Sequence, residues 1–373
     1  MKIMTVFGTR PEGIKMAPIV KELEKREGIE SVICITAQHR DMLDQVLNLF
    51  DIKPDYDLNI FKPGQTLTDI TTRALEGLEE VIIKEKPDVL LVQGDTTTVF
   101  AGALAAFYQK VKIGHVEAGL RSGNLYSPYP EEANRKLTGI LTDFHFAPTE
   151  RNRQNLLRED YPEENIFITG NTVIDALKYA IKEDYIFDVD LLNKLDYKNK
   201  RVILLTCHRR ENIGKPMENI FTAVKDIVDK YEDVELVFPM HLNPKVREIA
   251  SKVLSKDDRI HLIEPLDYEP MANLMSKVHL VVTDSGGIQE EAPTFGKPVL
   301  VVREETERPE GIEAGTAKLL GTKYENVFNE LKLLLSNRDE YNKMANAVNP
   351  YGDGKASERI VDIIINSQLT ENK

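Results

Sequence analysis

Short apolar runs punctuate the first half of the chain: KIMTVF (2–7), SVICIT (31–36), DVLLVQ (88–93), KIGHVE (112–117), DFHFAP (143–148) and IFITG (166–170). Between them lie amphipathic stretches with helical spacing. Residues 66–86 place Leu67, Ile70, Ala74, Leu78, Val81 and Ile82 on one face, which predicts a helix packed on a sheet. A polar stretch, DVDLLNKLDYKNKR (188–201), then precedes a second series: VILLT (202–206), VELVFPM (234–240), IHLIEP (260–265), HLVVT (279–283) and PVLVV (298–302). Near-continuous apolar strands joined through helices are the pattern of parallel sheets covered on both faces. The expected fold is therefore α/β: two Rossmann-like, doubly wound lobes facing across a ligand cleft. The expected domains are 1–171, 172–354 and a final helical segment, 355–373, whose Ile360, Ile363 and Ile364 would pack back on the first lobe.

A length of 373 residues exceeds the roughly 250–300 at which one core stops growing, which agrees with two lobes. The net charge of −13 repels nucleic acid and anionic membrane, so an anionic ligand has to be held by a local cluster of cations. Cys34 and Cys207 lie in separate apolar runs and read as buried free thiols of a reducing cytoplasm. The apolar start MKIMTVFG is too short for a secretion signal, and no run of 18 apolar residues offers a membrane span. A soluble cytoplasmic protein is expected.

Ligand chemistry in such sheets collects at the carboxyl ends of strands, so each exit carries information. The first, Gly8-Thr9-Arg10-Pro11-Glu12-Gly13 followed by Lys15, sets two cations at a helix start, either as an anion clamp or as solvated charges in a tight turn. Asp95, after Gln93-Gly94, is either an N-cap for the following helix or a reactive carboxylate. Glu117 closes a strand just before Ala118-Gly119, a costly place for a charge that lacks a partner. Glu131 opens PEEANR, where a first-turn acid is also an ordinary dipole partner. In the second series, Cys207-His208-Arg209-Arg210 crowds cations at a strand exit, His241 sits at the next, and Arg303 and Arg308 follow the fifth strand. Ser285-Gly286-Gly287 opens a helix with N–H groups suited to a diphosphate, and Glu291 lies one turn on to accept from ribose hydroxyls.

Taken together, GTRPE (8–12), QGDTTT (93–98), HVEAGLRSG (115–123), PEEANR (130–135), CHRREN (207–212) and SGGIQEEAP (285–293) resemble the non-hydrolysing UDP-N-acetylglucosamine 2-epimerases over essentially the whole chain. The resemblance implies the GT-B fold, a homodimer and no cofactor or metal. It carries nucleotide contacts onto Arg10, Lys15, His208, Ser285, Gly286, Gly287, Glu291 and Arg308, and acid–base carboxylates onto Asp95, Glu117 and Glu131. It implies interconversion of UDP-N-acetylglucosamine and UDP-N-acetylmannosamine, in which UDP is eliminated to leave a 2-acetamidoglucal and then added back. Bacterial relatives also carry an activating second site, to which Gln38, His39, Glu131, Arg210 and His241 correspond. Asp41 and Gly64 stand where those relatives commonly have Gln and Arg, which argues against substrate activation here. Three other readings share part of this pattern: a hydrolysing epimerase that releases N-acetylmannosamine, a GT-B glycosyltransferase, and a non-catalytic sugar-nucleotide sensor.

Overall fold

The protein is described by a computed structural model that covers residues 1–38, 40–254 and 257–371. Two compact units emerge, one comprising the chain up to Tyr179 and again from Tyr351, the other Ala180–Pro350. The first unit holds seven parallel strands: β1 (Lys2–Phe7), β2 (Glu30–Ile35), β3 (Tyr56–Asp57), β4 (Val89–Gln93), β5 (Lys112–Val116), β6 (Phe144–Ala147) and β7 (Ile166–Ile168). Their order is β3-β2-β1-β4-β5-β6-β7. The second unit holds β8 (Arg201–Thr206), β9 (Val234–Pro239), β10 (Ile260–Ile263), β11 (Leu280–Thr283), β12 (Val299–Val301) and β13 (Ala317–Leu319) in the order β10-β9-β8-β11-β12-β13, again parallel throughout. In each sheet the winding direction reverses beside the first strand, between β1 and β4 and between β8 and β11. Doubly wound sheets place ligands at such switch points.

Apolar burial on both faces explains why the strands read as continuous hydrophobic runs. Ile3, Met4, Val6 and Phe7 of β1 and Ile203, Leu204 and Leu205 of β8 are all fully buried. The helix Leu67–Glu85 buries Ile70, Ala74, Leu78, Val81 and Ile82, and a capping box between Thr66 and Asp69 satisfies its first N–H groups. Leu67, counted on that face from spacing, is 39% exposed because it begins the helix, before the turn that meets the sheet. Two strands left no signal in the sequence, β3 and β13; both are two- or three-residue edges. Among the described residues no helix is long and apolar enough to cross a membrane.

The unit boundaries fall at 179/180 and 350/351, against 171/172 and 354/355 from the sequence. The first shift has a packing cause: Ile174, Ala176 and Leu177 of the helix Thr172–Ala180 are buried, and its Asp175 accepts the N–H groups of Ala356 and Ser357 at 3.1 and 2.8 Å. That carboxylate therefore caps the last helix, Ala356–Glu371, which buries Ile360, Val361 and Ile364 and packs on the helix Arg10–Leu23. The polar stretch 188–201 has structure of its own. It forms the helix Asp190–Lys194, buries Leu192, and belongs to the second unit.

The switch point of the first sheet is closed by Glu12, which is 2% exposed. One of its oxygens accepts the Gly8 N–H at 3.2 Å and the other accepts the Thr96 hydroxyl at 2.8 Å, so the β1 and β4 exits are tied through one side chain. Burial raises its pKa to about 7, with Thr9, Thr96 and Gly8 hydrogen bonds opposing the rise. The folded state thus keeps a proton that the unfolded chain releases above 4.5. The stability this proton contributes is complete below that value and is lost as pH rises to about 7. In urea titrations, the stability of wild type relative to Glu12→Gln should fall by about 3 kcal/mol across this window and level off above it; a difference independent of pH would contradict the assignment.

Candidate active site

Three segments of the first unit carry carboxylates at or beside the carboxyl ends of β4 and β5: the two strand exits and the helix Glu131–Leu141. Glu117 follows β5 with φ +66°, in the left-handed region that costs a residue with a Cβ free energy. Its side chain is 9% exposed and pairs with Lys15 Nζ at 2.6 Å. The carboxylate also accepts from Gln93 Nε2 at 2.6 Å and from Asn171 Nδ2 at 3.1 Å. These partners come from β4, the first helix and the segment after β7, so the strained backbone is fixed from three directions. Asn171 is itself set by the returning chain, since its N–H donates to the Tyr351 carbonyl at 2.7 Å. Gly94 lies alongside with φ +81°, and a Cβ there would stand 3.7 Å from Glu117 Oε2.

Asp95 is not the cap of the next helix. Thr96 takes that place, accepting from the Val99 N–H, and leaves Asp95 to pair with Arg135, whose Nε lies 2.9 Å from Oδ2. Arg135 also donates to Glu132 at 3.0 Å, and Asn134 donates to the Asp95 carbonyl at 2.9 Å. Fully buried Glu132 accepts the N–H groups of Ser122 and Gly123 at 3.0 and 3.1 Å. Burial alone would raise its pKa, but those donors and Arg135 hold it below the ordinary carboxylate range. Glu131 is the first residue of the helix Glu131–Leu141, and its Oε2 is buried without a hydrogen-bond partner. A buried acceptor in that condition is costly unless something else fills the site. Beneath these groups, His115 donates from Nε2 to the Gly94 carbonyl at 2.7 Å, and burial lowers its pKa to about 4, so it serves as a neutral strut. Arg10 begins the helix after β1 and is half-buried, while Gln38 accepts from the Thr98 hydroxyl at 3.1 Å. His39 lies outside the described residues, and Gly64 is an exposed left-handed turn residue with φ +72°.

In the second unit the reversal lies between β8 and β11, where Thr206 pairs with Thr283 in register and their hydroxyls meet at 2.6 Å. His208 is half-buried, its ring stacked on His241 with centroids 5.4 Å apart and planes 12° from parallel. Burial lowers the His208 pKa; the Asp284 charge opposes this, while His241 and Arg209 add to it. Ser285 precedes the helix Gly286–Glu291 without a side-chain capping bond, and its N–H donates to Thr283 Oγ1 at 2.9 Å. Gly286 faces open space, and a Cβ on Gly287 would come within 3.3 Å of Glu291 Oε1. Neither glycine has positive φ, so their common virtue is the room they leave above the backbone.

The cationic rim expected from Arg303 and Arg308 is compensated internally. Arg308 pairs with buried Glu290, and Arg303 stands 3.6 Å from Glu211 and 3.4 Å from Glu307. Arg210 and His241 are exposed. Sequence reasoning did not single out Glu12, Gln93, Glu132, Arg135, Asn171, Asp284 or Glu290. All but Asn171 lie in or beside a quoted motif, where their polar type was visible but their partners were not. Among the described residues no group of His, Cys, Asp and Glu stands together as metal ligands would.

Comparison with known proteins bears on both units. Residues 21–365 match the family model described as UDP-N-acetylglucosamine 2-epimerase. The UDP-N-acetylglucosamine 2-epimerase of Bacillus subtilis is 57% identical over 366 residues, covering 98% of this chain and 95% of the relative. The crystal structure of UDP-GlcNAc 2-epimerase from Neisseria meningitidis bound to UDP-GlcNAc superposes with a TM-score of 0.87 at 52% identity, covering 98% of this chain and 100% of that one. An S. aureus MnaA-UDP co-structure gives 0.86 at 57% identity, with 99% and 97% covered. The two parallel-sheet units are those of the GT-B fold, and the chain belongs to the UDP-N-acetylglucosamine 2-epimerase family.

Proposed function

We propose that this chain interconverts UDP-N-acetylglucosamine and UDP-N-acetylmannosamine without net hydrolysis, in the cytoplasm and as a homodimer. The observation that carries the chemistry is Glu117, held in a strained backbone conformation by Lys15, Gln93 and Asn171 beside Asp95. The C2–H bond is not adjacent to a carbonyl carbon, so its proton can leave only as the anomeric C–O bond breaks. One carboxylate takes the proton, the C–H electrons become the C1–C2 double bond, and the C1–O pair departs with UDP. Re-addition reverses the electron flow, with a second carboxyl group delivering a proton to the opposite face of C2. Asp95, Glu117 and Glu131 supply the acid–base groups, and the unsatisfied Glu131 oxygen suits a site completed by substrate. The reaction is redox neutral and calls for no cofactor.

The diphosphate is assigned to the second unit, with His208, the Ser285 hydroxyl and the N–H groups of Gly286 and Gly287 stabilising the charge that develops on UDP. Glu291 is assigned to the ribose, and Arg10 and Arg308 to the phosphates, Arg308 exchanging Glu290 for the ligand. Retaining UDP in this cradle between elimination and re-addition is what separates epimerisation from hydrolysis. That the Neisseria relative binds UDP-GlcNAc and the S. aureus relative binds UDP supports the ligand assignment.

The homodimer has support in the first unit. Ile83, Phe107, Tyr108, Leu137 and Ile140 are exposed on three successively packed helices, Leu67–Glu85, Thr97–Tyr108 and Glu131–Leu141. Large apolar side chains gathered on adjoining helices are typical of an interface. The free, buried Cys34 and Cys207 accord with a reducing compartment.

Incubation with UDP-N-acetylglucosamine in D2O, followed by NMR, tests the reaction: deuterium at C2 together with UDP-N-acetylmannosamine is expected. Free N-acetylmannosamine as the main product would establish hydrolysis, an unchanged sugar would leave a sensor, and acceptor-dependent UDP release would indicate a transferase. Glu117→Gln and His208→Ala should each lower kcat by about 10²- to 10⁴-fold while the proteins stay folded; near-normal turnover would remove that residue from the mechanism. Phe107→Glu combined with Ile140→Glu should convert the dimer to a monomer in light scattering, and an unchanged mass would place the interface elsewhere.

A further inference from the structure

Asp284 is the residue on which the shape of the second-unit site turns. It follows β11, is fully buried, and its backbone N–H donates to the Thr206 carbonyl at 3.1 Å. Oδ2 accepts three hydrogen bonds from the loop after β8: His208 N–H at 2.9 Å, Arg209 N–H at 2.9 Å and Asn212 Nδ2 at 3.0 Å. Three donors on one oxygen fix the rotation of the carboxylate. The other oxygen, Oδ1, is closed off from solvent without a hydrogen bond of ordinary geometry, and His208 Nδ1 stands 3.3 Å from it. The Cys207 thiol, raised in pKa by burial and by this carboxylate, also borders the group.

We propose that Asp284 is a positioning residue that holds His208 as the Nδ1–H tautomer, so that Nε2 is the nitrogen offered to the ligand. The carboxylate oxygen fixed 3.3 Å from Nδ1 faces that nitrogen as an acceptor, which sets the ring's polarity. The stacked neighbour is set the opposite way. His241 Nδ1 accepts the Asn243 N–H at 3.1 Å, so its proton sits on Nε2. Two parallel imidazoles therefore present one Nε2 that donates and one that can take a proton. When the diphosphate binds, Nε2 of His208 takes a proton from solvent, and the resulting imidazolium, backed by a buried carboxylate, is matched to the charge UDP develops as it leaves. The reverse tautomer could donate a hydrogen bond but could not take up that proton at Nε2. This inference rests on the reading of His208 as a group that handles UDP.

The test uses the full chain labelled with ¹⁵N-histidine, with long-range ¹H–¹⁵N correlations reporting tautomers and His208→Ala identifying the signal among seven histidines. The wild type should show His208 protonated on Nδ1 and His241 on Nε2. In Asp284→Asn the amide oxygen remains with the three loop donors, so the NH₂ faces Nδ1 and drives the proton to Nε2. The melting temperature should then change little, while kcat falls at least about 100-fold and KM moves far less. A wild-type His208 protonated on Nε2, or a folded Asp284→Asn with the tautomer unchanged, overturns the inference. If the tautomer switches and kcat stays, the positioning of the ring stands and the role of His208 in the reaction falls. Should Asp284→Asn fail to fold, the wild-type tautomer alone decides.

Discussion

A buried carboxylate placed at the switch point of each sheet is the constraint on which the strand exits of both units depend. Parallel strands exit together at their carboxyl ends, and the loops that follow carry backbone N–H groups with no ladder partner. Glu12 gathers those of the β1 exit and binds Thr96 after β4. Asp284, after β11, gathers those of the β8 exit. The direction differs, since one acid lies in the first turn of the helix that follows the sheet's first strand and the other on the loop after the neighbouring strand. The result is the same: two loops that could drift independently move as one, and the groups on them keep a common frame. Buried acids are expensive, but each of these is repaid in hydrogen bonds from donors that would otherwise be unsatisfied.

The second principle is local charge balance. A protein of net charge −13 that concentrates carboxylates at two strand exits has to partner them individually. Lys15 meets Glu117, and Arg135 bridges Asp95 and Glu132. In the other unit Glu290 meets Arg308 and Glu307 meets Arg303. Cations that look free in the sequence are thus already engaged, and any anion that binds there has to exchange with an internal acid. Exchange of this kind is selective, because only a guest with comparable charge can displace the resident carboxylate.

Much of this was legible in the sequence. Every strand of more than three residues appears as an apolar run, because burial on two faces leaves no polar alternation to confuse with a helix. The edges β3 and β13 were invisible because two or three residues carry no periodicity. The unit boundaries shifted because contacts such as Asp175 with Ala356 and Ser357 join segments 181 and 182 residues apart, which no local window registers. At the site, residue types at strand exits pointed to the right loops, but partners did not follow. Asp95 stood open between a cap and a reactive carboxylate until Thr96 proved to hold the cap position, and Arg308 proved to be paired. Asn171 had no signal, since it reaches Glu117 across 54 residues of sequence.

The left-handed backbone at Glu117 has a consequence for how this chain can change. Glycine would occupy φ +66° without the steric penalty, so the locally least strained sequence at that position is one without the carboxylate. On the role proposed for Glu117, foldability and chemistry pull against each other at a single position. Backbone relief at this position comes only with the loss of the carboxylate that Lys15, Gln93 and Asn171 hold, so thermal resistance alone does not report on what the residue is kept for.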